Sequence, residues 1–408
     1  MCSSARAGDE KAPAAGATTA PARYRVSVLT MGQGPELFAR FGHIAFLVED
    51  LSAKTEKVYN FGTFDFQNPA LRFKYLRGYL IYWVGVQGFS STVRNCHATD
   101  RTLTQHVLAL TPDAAERLAQ KLAVNARPEN REYEYRHYLD NCCTRIRDLV
   151  DEASGGAIAA GRRGKMTGRT YRDWTRRSLE GPITSNIAIN FMLGPAVDQP
   201  VDRWAEEFLP SVMAEDLDQA VRPDGSPLVA STKVLYARSG PPVESVCEPW
   251  DAPVISLFLF LFVLGLALPI AVGAWRPGLG ARLAGVGIFT WAFLGGLGGA
   301  ILTFLWAGTT HYDTHYNENL LCFLPTHLFL FVPAVVLIVR GRLGDATGRL
   351  VLRYLAVSAL VVVAVLVLKL RPAPQDNYGF MVFGFAMDLA CLAALLRTKV
   401  VDLPAKRK

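Results

Sequence analysis

The sequence predicts two parts of different fold class: an α+β domain over residues 24–250 and an all-α bundle of five transmembrane helices over residues 251–400. Two observations support this division. The first part mixes charges, turns and alternating apolar residues, as globular domains of strands and helices do. From Pro253 onward the chain consists of apolar runs of ~20 residues, each long enough to cross a bilayer as a helix.

The elements of the first part follow from local sequence patterns. Residues 1–23 are rich in Ala, Gly, Thr and Pro and lack an apolar core, which predicts a disordered tether. Alternation and a high content of β-branched and aromatic residues predict strands. These strands are 24–30, 41–48, 58–64, 79–87, 104–111 and 226–236. Apolar spacing predicts helices at 113–125, from Cys142 onward, and within 169–220, with a flexible loop at 155–168.

The stretch Tyr138–Asp148 contains the most informative local pattern, a turn-prone Asp-Asn pair followed by two cysteines and an amphipathic run. Asp140 or Asn141 can cap a helix, which places Cys142 or Cys143 in its first turn. Unpaired N–H groups and the helix dipole stabilise a thiolate there, and the thiolate is the nucleophilic form of cysteine. The pattern therefore predicts a catalytic cysteine.

A nucleophilic cysteine needs a base, and His43 is the best candidate. It lies in a predicted strand directly after Gly42, where a glycine permits close approach of another chain segment. Asn60, on the next predicted strand, can then fix the tautomer of the imidazole. Together with Cys142 these residues form a Cys–His–polar constellation.

Each of these residues also has a structural interpretation. Cys142 can be a buried thiol or half of a disulfide with Cys96 or Cys247, His43 a core histidine and Asn60 a turn or sheet residue. We interpret the nearby charged residues as structural ion-pairing residues rather than as catalytic residues; they are Asp65, Arg145, Arg147 and Asp148.

The charges of the loops predict the orientation of the membrane part, whose spans are 253–275, 283–307, 319–339, 350–369 and 379–396. Lys and Arg lie between spans one and two, between spans three and four, and after span five, whereas the loop 308–319 has neither. Positive loops mark the cytoplasmic side. We therefore expect residues 401–408 to form a basic cytoplasmic tail and the front domain to lie outside. The net charge of +7 reflects this topology, and we predict no nucleic-acid partner.

An exported front domain calls for an N-terminal signal, and residues 1–23 contain none. One explanation is a start at a mature end or an internal start codon, and Cys2-Ser3-Ser4 would suit a lipidated protein. The alternative is a cytoplasmic front domain, which would invert the rule for loop charges. We favour the exported arrangement.

A cluster of polar side chains lies in the outer loop between spans two and three. We predict that it receives a lipid head group or a lipidated substrate; a solvated loop is the alternative. The cluster consists of His311, His315, Asn317 and Asn319. His311 and His315 have the spacing of metal ligands, but a third ligand is lacking, so we predict no metal and no cofactor. Asp388, within span five, is expected to face the bundle or a polar cavity.

Several of these motifs resemble those of the lipoprotein N-acyltransferase B (Lnb) family. The similar segments are Gly42-His43, Tyr59–Phe66, Asp140–Asp148, Thr170–Arg172, Gly194–Asp198, Phe208–Pro210 and His311–Leu321. The family pattern Asn-Cys-x-Thr-Arg corresponds to Cys142 as nucleophile and leaves Cys143 at the variable place. More distantly, the order His, polar residue, Asn-Cys resembles circularly permuted NlpC/P60 (papain-like) thiol enzymes and lecithin:retinol acyltransferase-like enzymes.

The resemblance implies a fold, a reaction and a location. The front domain would be a permuted NlpC/P60-like periplasmic acyltransferase domain on the bacterial inner membrane. It would move an acyl chain from a phospholipid, through a thioester on Cys142, to the N-terminal amine of diacylglyceryl-modified lipoproteins. Its partners would be these two substrates and membrane lipids. Two alternatives remain, a membrane-tethered NlpC/P60-type cell-wall amidase or peptidase and a non-catalytic binding or sensor module.

Overall fold

The computed structural model describes residues 22–65, 69–179, 183–240, 251–372 and 374–397. Most of the predicted tether with Cys2, the proposed disulfide partner Cys247 and the basic tail lie outside these residues.

An antiparallel sheet of seven strands forms the centre of the front domain, in the order β6-β4-β3-β2-β1-β5-β9. Its strands are β1 Tyr24–Met31, β2 His43–Asp50, β3 Thr55–Thr63, β4 Ile81–Gln87, β5 Leu103–Leu108, β6 Glu132–Glu134 and β9 Val229–Tyr236. A separate pair consists of β7 Met166–Thr170 and β8 Pro200–Asp202. The pairings within the larger sheet are antiparallel, as is common in α+β domains.

Alternation along β2 shows how the sequence builds two cores on this sheet. Ile44 and Phe46 belong to the larger core, which helices cover, whereas Ala45 and Leu47 belong to the smaller core on the other side. Successive strand residues point to opposite faces, so one strand serves both cores. The helix that begins at Cys142 packs in the larger core through Ile146.

The helices of the front domain follow the predicted pattern only in part. They are α1 Pro69–Leu76, α2 Phe89–Ala98, α3 Pro112–Asn125, α4 Cys142–Ser154, α5 Tyr171–Ser178, α6 Ile183–Met192, α7 Arg203–Glu206 and α8 Pro210–Gln219. We did not predict α2 from the sequence, although Phe89, Val93 and Cys96 form an apolar face that packs in the smaller core. The predicted loop 155–168 runs into β7, and a 3-10 turn and β8 interrupt the helical stretch 169–220.

The second part consists of helices and short 3-10 turns joined by loops. Its helices are α9 Asp251–Trp275, α10 Pro277–Gly308, α11 Phe331–Arg340, α12 Asp345–Leu368 and α13 Tyr378–Arg397. Four helical segments are long and apolar enough to cross a membrane, namely Pro277–Gly308, Glu318–Arg340, Asp345–Val367 and Tyr378–Arg397. Within α9 the apolar stretch Leu259–Trp275 is shorter, so the predicted count of five spans is not confirmed.

Asp388 faces the interior of this bundle, as predicted. Its carboxylate accepts a hydrogen bond of 2.8 Å from Trp291 Nε1 and lies 3.7 Å from His327 Nε2. All three side chains are buried. A charged group within a membrane span is costly unless polar partners surround it, which explains this arrangement.

Hydrogen bonds join the two parts directly, across a surface that we call the junction. Gly194 N–H donates to Asp313 O over 2.8 Å, and Thr310 N–H donates to Arg77 O over 2.9 Å. Arg176, on α5, pairs with Asp376 in the loop before α13. The front domain is therefore held against the outer loops by contacts as well as by the chain connection.

Candidate active site

The cysteine helix α4 begins as the sequence predicts. Asn141 is its N-cap, and its Oδ1 accepts hydrogen bonds from Cys143 N (2.8 Å) and Thr144 N (2.9 Å). Thr144 Oγ1 in turn accepts from Asn141 N over 2.9 Å, which completes a capping box. Asn141 Nδ2 also donates to the carbonyls of His137 and Phe208, both over 2.9 Å. This residue therefore holds the first turn, with Cys142, in a fixed position.

Gly62 and a break in strand pairing allow β3 to pass close to Cys142. Gly62 adopts a left-handed φ of +83°, and a Cβ on it would lie 3.6 Å from Cys142 Cβ. The pairing of β3 with β4 shifts between Asn60 and Thr63. Such an irregularity redirects side chains.

The structure places Asn60 beside His43. The distance between His43 Nε2 and Asn60 Oδ1 is 3.3 Å. Gly42 precedes the histidine with φ +78°, and a Cβ on it would lie 3.1 Å from Met31 O. The left-handed φ and the close carbonyl of Met31 both favour glycine at position 42. The next residue, Ile44, directs its backbone N–H to the sulfur of Cys142.

Cys142, His43 and Asn60 line one cavity of about 750 Å³. This volume lies within the usual range of ligand pockets. The other lining residues are Met31, Leu37, Phe38, Ala39, Phe41, Gly42, Gly62, Thr63, Phe64, Tyr82, Gly85, Val86, Gln87, Thr92, Asn95, Arg101, Tyr135, His137, Asn141, Phe208 and Pro210. The three residues that the sequence singled out therefore face a common space.

The expected low pKa of the cysteine is wrong for this structure. Burial raises the pKa of the Cys142 thiol to about 11 and outweighs the backbone N–H groups of Ile44, Cys143 and Cys142, which act in the opposite direction. Burial also lowers the pKa of His43 to about 4, aided by the positive charge of Arg101 and opposed by the bond to Asn60. At neutral pH the pair is a neutral thiol and a neutral imidazole.

The other cysteine of the doublet and two other histidines of the front domain are less suited to act as nucleophile or base. Cys143 is fully buried in the larger core and does not line the cavity. His137 does line it, but its ring packs against Phe41, with the ring centres 4.4 Å apart. His106 is engaged elsewhere, 2.9 Å from Asp218.

The charged residues around the cysteine helix form ion pairs, as expected. Arg145 binds Asp140 through two hydrogen bonds of 2.6 and 2.7 Å, and Arg147 pairs with Asp148. Arg147 also donates to the carbonyl of Trp204 over 2.7 Å. These contacts anchor α4 without reaching into the cavity.

Sequence reasoning missed the polar part of the cavity wall. Gln87, Thr92, Asn95 and Arg101 line it, from the end of β4, from α2 and from the segment before β5. No sequence motif marks these four residues, because they come from separate elements and meet only in the folded domain.

The four polar residues of the outer loop do not form one site. Asn317 Nδ2 donates to Phe191 O over 2.8 Å, and Asn319 Nδ2 donates to the same oxygen over 2.9 Å. Both amides are buried, which favours a structural role at the junction over the predicted substrate-binding role. His315 Nε2 lies 3.1 Å from Thr309 O, while His311 lines a separate cavity of about 260 Å³ at the junction. Among the described residues, no three His, Cys, Asp or Glu side chains are placed to hold a metal ion.

The fold and the site define a membrane protein whose extramembrane domain carries a thiol and an imidazole in one cavity. Two family models match the chain: the Lnb N-terminal periplasmic domain over residues 11–177 and the Lnb transmembrane domain over residues 250–399. The chain belongs to the Lnb family, and it is an inner-membrane protein with a periplasmic N-terminal domain. No curated protein and no solved structure matches it.

Proposed function

We propose that this protein is a lipoprotein N-acyltransferase that carries an acyl chain from a phospholipid to the α-amine of a lipidated N-terminal cysteine. The observation that supports this function best is the single cavity shared by Cys142, His43 and Asn60. All three residues lie within the segment that the Lnb periplasmic model matches. Family membership supplies the reaction class, and the cavity supplies a nucleophile and a base.

In the first half of the reaction, His43 activates the thiol. With Nε2–H donating to Asn60 Oδ1, the neutral ring presents Nδ1 as a proton acceptor. Nδ1 takes the proton of Cys142 as the sulfur attacks the ester carbonyl of the phospholipid. A carbon–sulfur bond forms, the carbon–oxygen bond breaks, and the proton passes to the glycerol oxygen. The products are a thioester on Cys142 and a lysophospholipid.

In the second half, the neutral α-amine of the lipoprotein attacks the thioester carbonyl. A carbon–nitrogen bond forms and the carbon–sulfur bond breaks. His43 takes the proton from the nitrogen and returns it to the sulfur. The free thiol is restored, and no external reductant or nucleotide is required.

The oxyanion of each tetrahedral intermediate needs hydrogen-bond donors. The N–H groups of Cys143 and Thr144 are occupied by the cap Asn141. We therefore assign this role to the N–H of Cys142 itself, which points toward its own sulfur.

The membrane part supplies proximity, since both substrates are anchored in lipid. In this proposal α9 is a fifth span, the C-terminus is cytoplasmic, and the front domain is a relative of permuted NlpC/P60 enzymes. The junction joins the domain that contains the cavity to the outer loops of the membrane part.

The test is the lipid on a reporter lipoprotein, measured by mass spectrometry in cells that depend on this protein for N-acylation. We expect an amide-linked acyl chain with the wild type, none with Cys142→Ser, and wild-type levels with Cys143→Ser, the matched control. Acylation by Cys142→Ser would disprove the assignment of the nucleophile. Unchanged lipid together with trimmed muropeptides would instead indicate a cell-wall amidase.

A further inference from the structure

We propose that Arg101 binds the phosphodiester of the phospholipid donor in the cavity of Cys142. The inference rests on the proposed function and extends it, because it assigns a subsite and a recognised group to a residue outside the Cys–His–Asn constellation. It is carried by the position, bonding and charge of Arg101.

The guanidinium of Arg101 is fixed but incompletely bonded. Its Nε donates to Gly32 O over 2.8 Å. One terminal nitrogen, Nη2, is buried and has no hydrogen-bond partner among the described residues. An unsatisfied donor on a buried charged group is costly, so a complementary acceptor would stabilise this arrangement.

The positive charge of Arg101 is also not neutralised by a close carboxylate. Among the described residues, no carboxylate oxygen lies within 4 Å of it. Burial lowers the pKa of Arg101, and Glu36 opposes this shift only from more than 4 Å, as an exposed side chain on the loop after β1. The cavity therefore contains a fixed cation that can accept an anionic partner.

The field of Arg101 reaches the reacting groups. Burial raises the pKa of Cys142 and lowers that of His43; the charge of Arg101 partly opposes the first shift and adds to the second. An anion held by this guanidinium would thus lie in the same cavity as the sulfur. In a phospholipid the phosphate and the ester carbonyls are joined through one glycerol unit, so this is the arrangement that such a donor requires.

The other residues that line the cavity suit the remaining parts of a phospholipid. Gln87, Thr92 and Asn95 offer further polar groups near Arg101, and Gln87 Nε2 bonds Thr92 Oγ1 over 2.8 Å. Another part of the lining is aromatic: the rings of Phe64 and Tyr82 are 5.1 Å apart. A cavity with a cationic part and an aromatic part matches an amphiphile. Arginine suits the charged group because its fork binds phosphate oxygens in pairs.

Arg101 has two possible roles that an experiment can distinguish: binding of the donor phosphate, and stabilisation of the Cys142 thiolate by its charge alone. Acylation of Cys142 in single-turnover reactions of the full-length protein separates the two. One donor is phosphatidylethanolamine in mixed micelles, and the other is a phosphate-free p-nitrophenyl ester of the same acyl chain. The variants are Arg101→Gln, Arg101→Lys and, as control, Arg94→Gln, an exposed cation of α2 that does not line the cavity.

We expect Arg101→Gln to reduce kcat/KM for phosphatidylethanolamine roughly tenfold to a hundredfold, the value of a charge-assisted hydrogen bond. The rate with the p-nitrophenyl ester should fall much less, because only the effect of the Arg101 charge on Cys142 and His43 is lost there, and the remaining reaction also shows that the variant is folded. Arg101→Lys should keep part of the kcat/KM for phosphatidylethanolamine that Arg101→Gln loses, because lysine retains the positive charge. Arg94→Gln should have no effect. Equal losses with both donors would overturn the phosphate subsite and leave the proposed function intact.

Two further outcomes are informative. If the wild type acylates Cys142 with neither donor, the proposed function fails, and the subsite fails with it. Inorganic phosphate identifies the source of the bound group: inhibition of the wild type by millimolar phosphate, lost in Arg101→Gln, would assign the site to free phosphate and overturn the lipid assignment. We expect no such inhibition.

Discussion

At the scale of single residues, the burial of the Cys142 sulfur determines how the site responds to pH. Its pKa of about 11 means that the reactive thiolate is scarce at neutral pH and increases as pH rises. We therefore predict that alkylation of Cys142 by iodoacetamide accelerates through pH 7 to 10 without a plateau. Mass spectrometry of the labelled peptide in Cys143→Ser protein gives the rate. A plateau at mildly acidic pH would show a preformed thiolate–imidazolium pair.

This neutral pair changes the chemistry expected of the site. A preformed thiolate would attack first and exchange protons later. If the proposed mechanism holds, proton transfer from a neutral thiol to His43 has to accompany attack on the ester, and the imidazole then takes part in the rate-limiting barrier. The sequence did not reveal this difference, because the helix N-terminus is a local feature whereas burial of the sulfur arises from the packing of α4 on β2 and β3.

At the scale of elements, the cap of α4 is the feature that links stability to activity. We predict that Asn141→Ala lowers stability by about 1–3 kcal/mol, since it removes the cap and leaves the carbonyls of His137 and Phe208 without their donor. It should also impair acyl transfer, because Cys142 occupies the first turn. Denaturation in detergent and the reporter assay measure the two effects.

The matched control is Thr111→Ala, which removes the N-cap of α3. Thr111 Oγ1 accepts from Ala114 N over 3.3 Å, and Thr111 does not line the cavity of Cys142. This variant should lose about 0.5–2 kcal/mol of stability and keep its acyl transfer. If both variants lost activity in proportion to stability, the cap would have no specific link to the site.

At the scale of the whole molecule, the junction makes one unit of two parts. Gly194 lies where a Cβ would overlap the carbonyl oxygen of His315. We predict that Gly194→Ala displaces the outer loop from α6 and strongly reduces lipoprotein acylation, while alkylation of Cys142 continues. Gly265→Ala is the control, since a Cβ there meets nothing within 4 Å. Normal acylation by Gly194→Ala would show that the junction is not needed for catalysis.

The whole fold also explains which features of the site could be predicted from the sequence and which could not. The cap of α4 and the pairing of His43 with Asn60 depend on short stretches and on neighbouring strands, so local patterns suffice. The approach of Arg101 depends on the order β1-β5 in the sheet, and the proline at 325 breaks a predicted span into 3-10 turns before α11. Asn317 and Asn319 were assigned to substrate because the sequence does not show that α6 covers them.

The hydrogen bonds between the outer loops and the front domain also fix the position of the front domain relative to the membrane helices. Asn317, Gln375 and Arg176 bond the front domain to the outer ends of the helical part, which restricts movement of the Cys142 sulfur relative to those helices. If the proposed acyl transfer is correct, the phospholipid ester and the lipoprotein amine both have to reach the sulfur at this fixed position. In that case the thickness of the outer leaflet would influence which lipids can serve as donors.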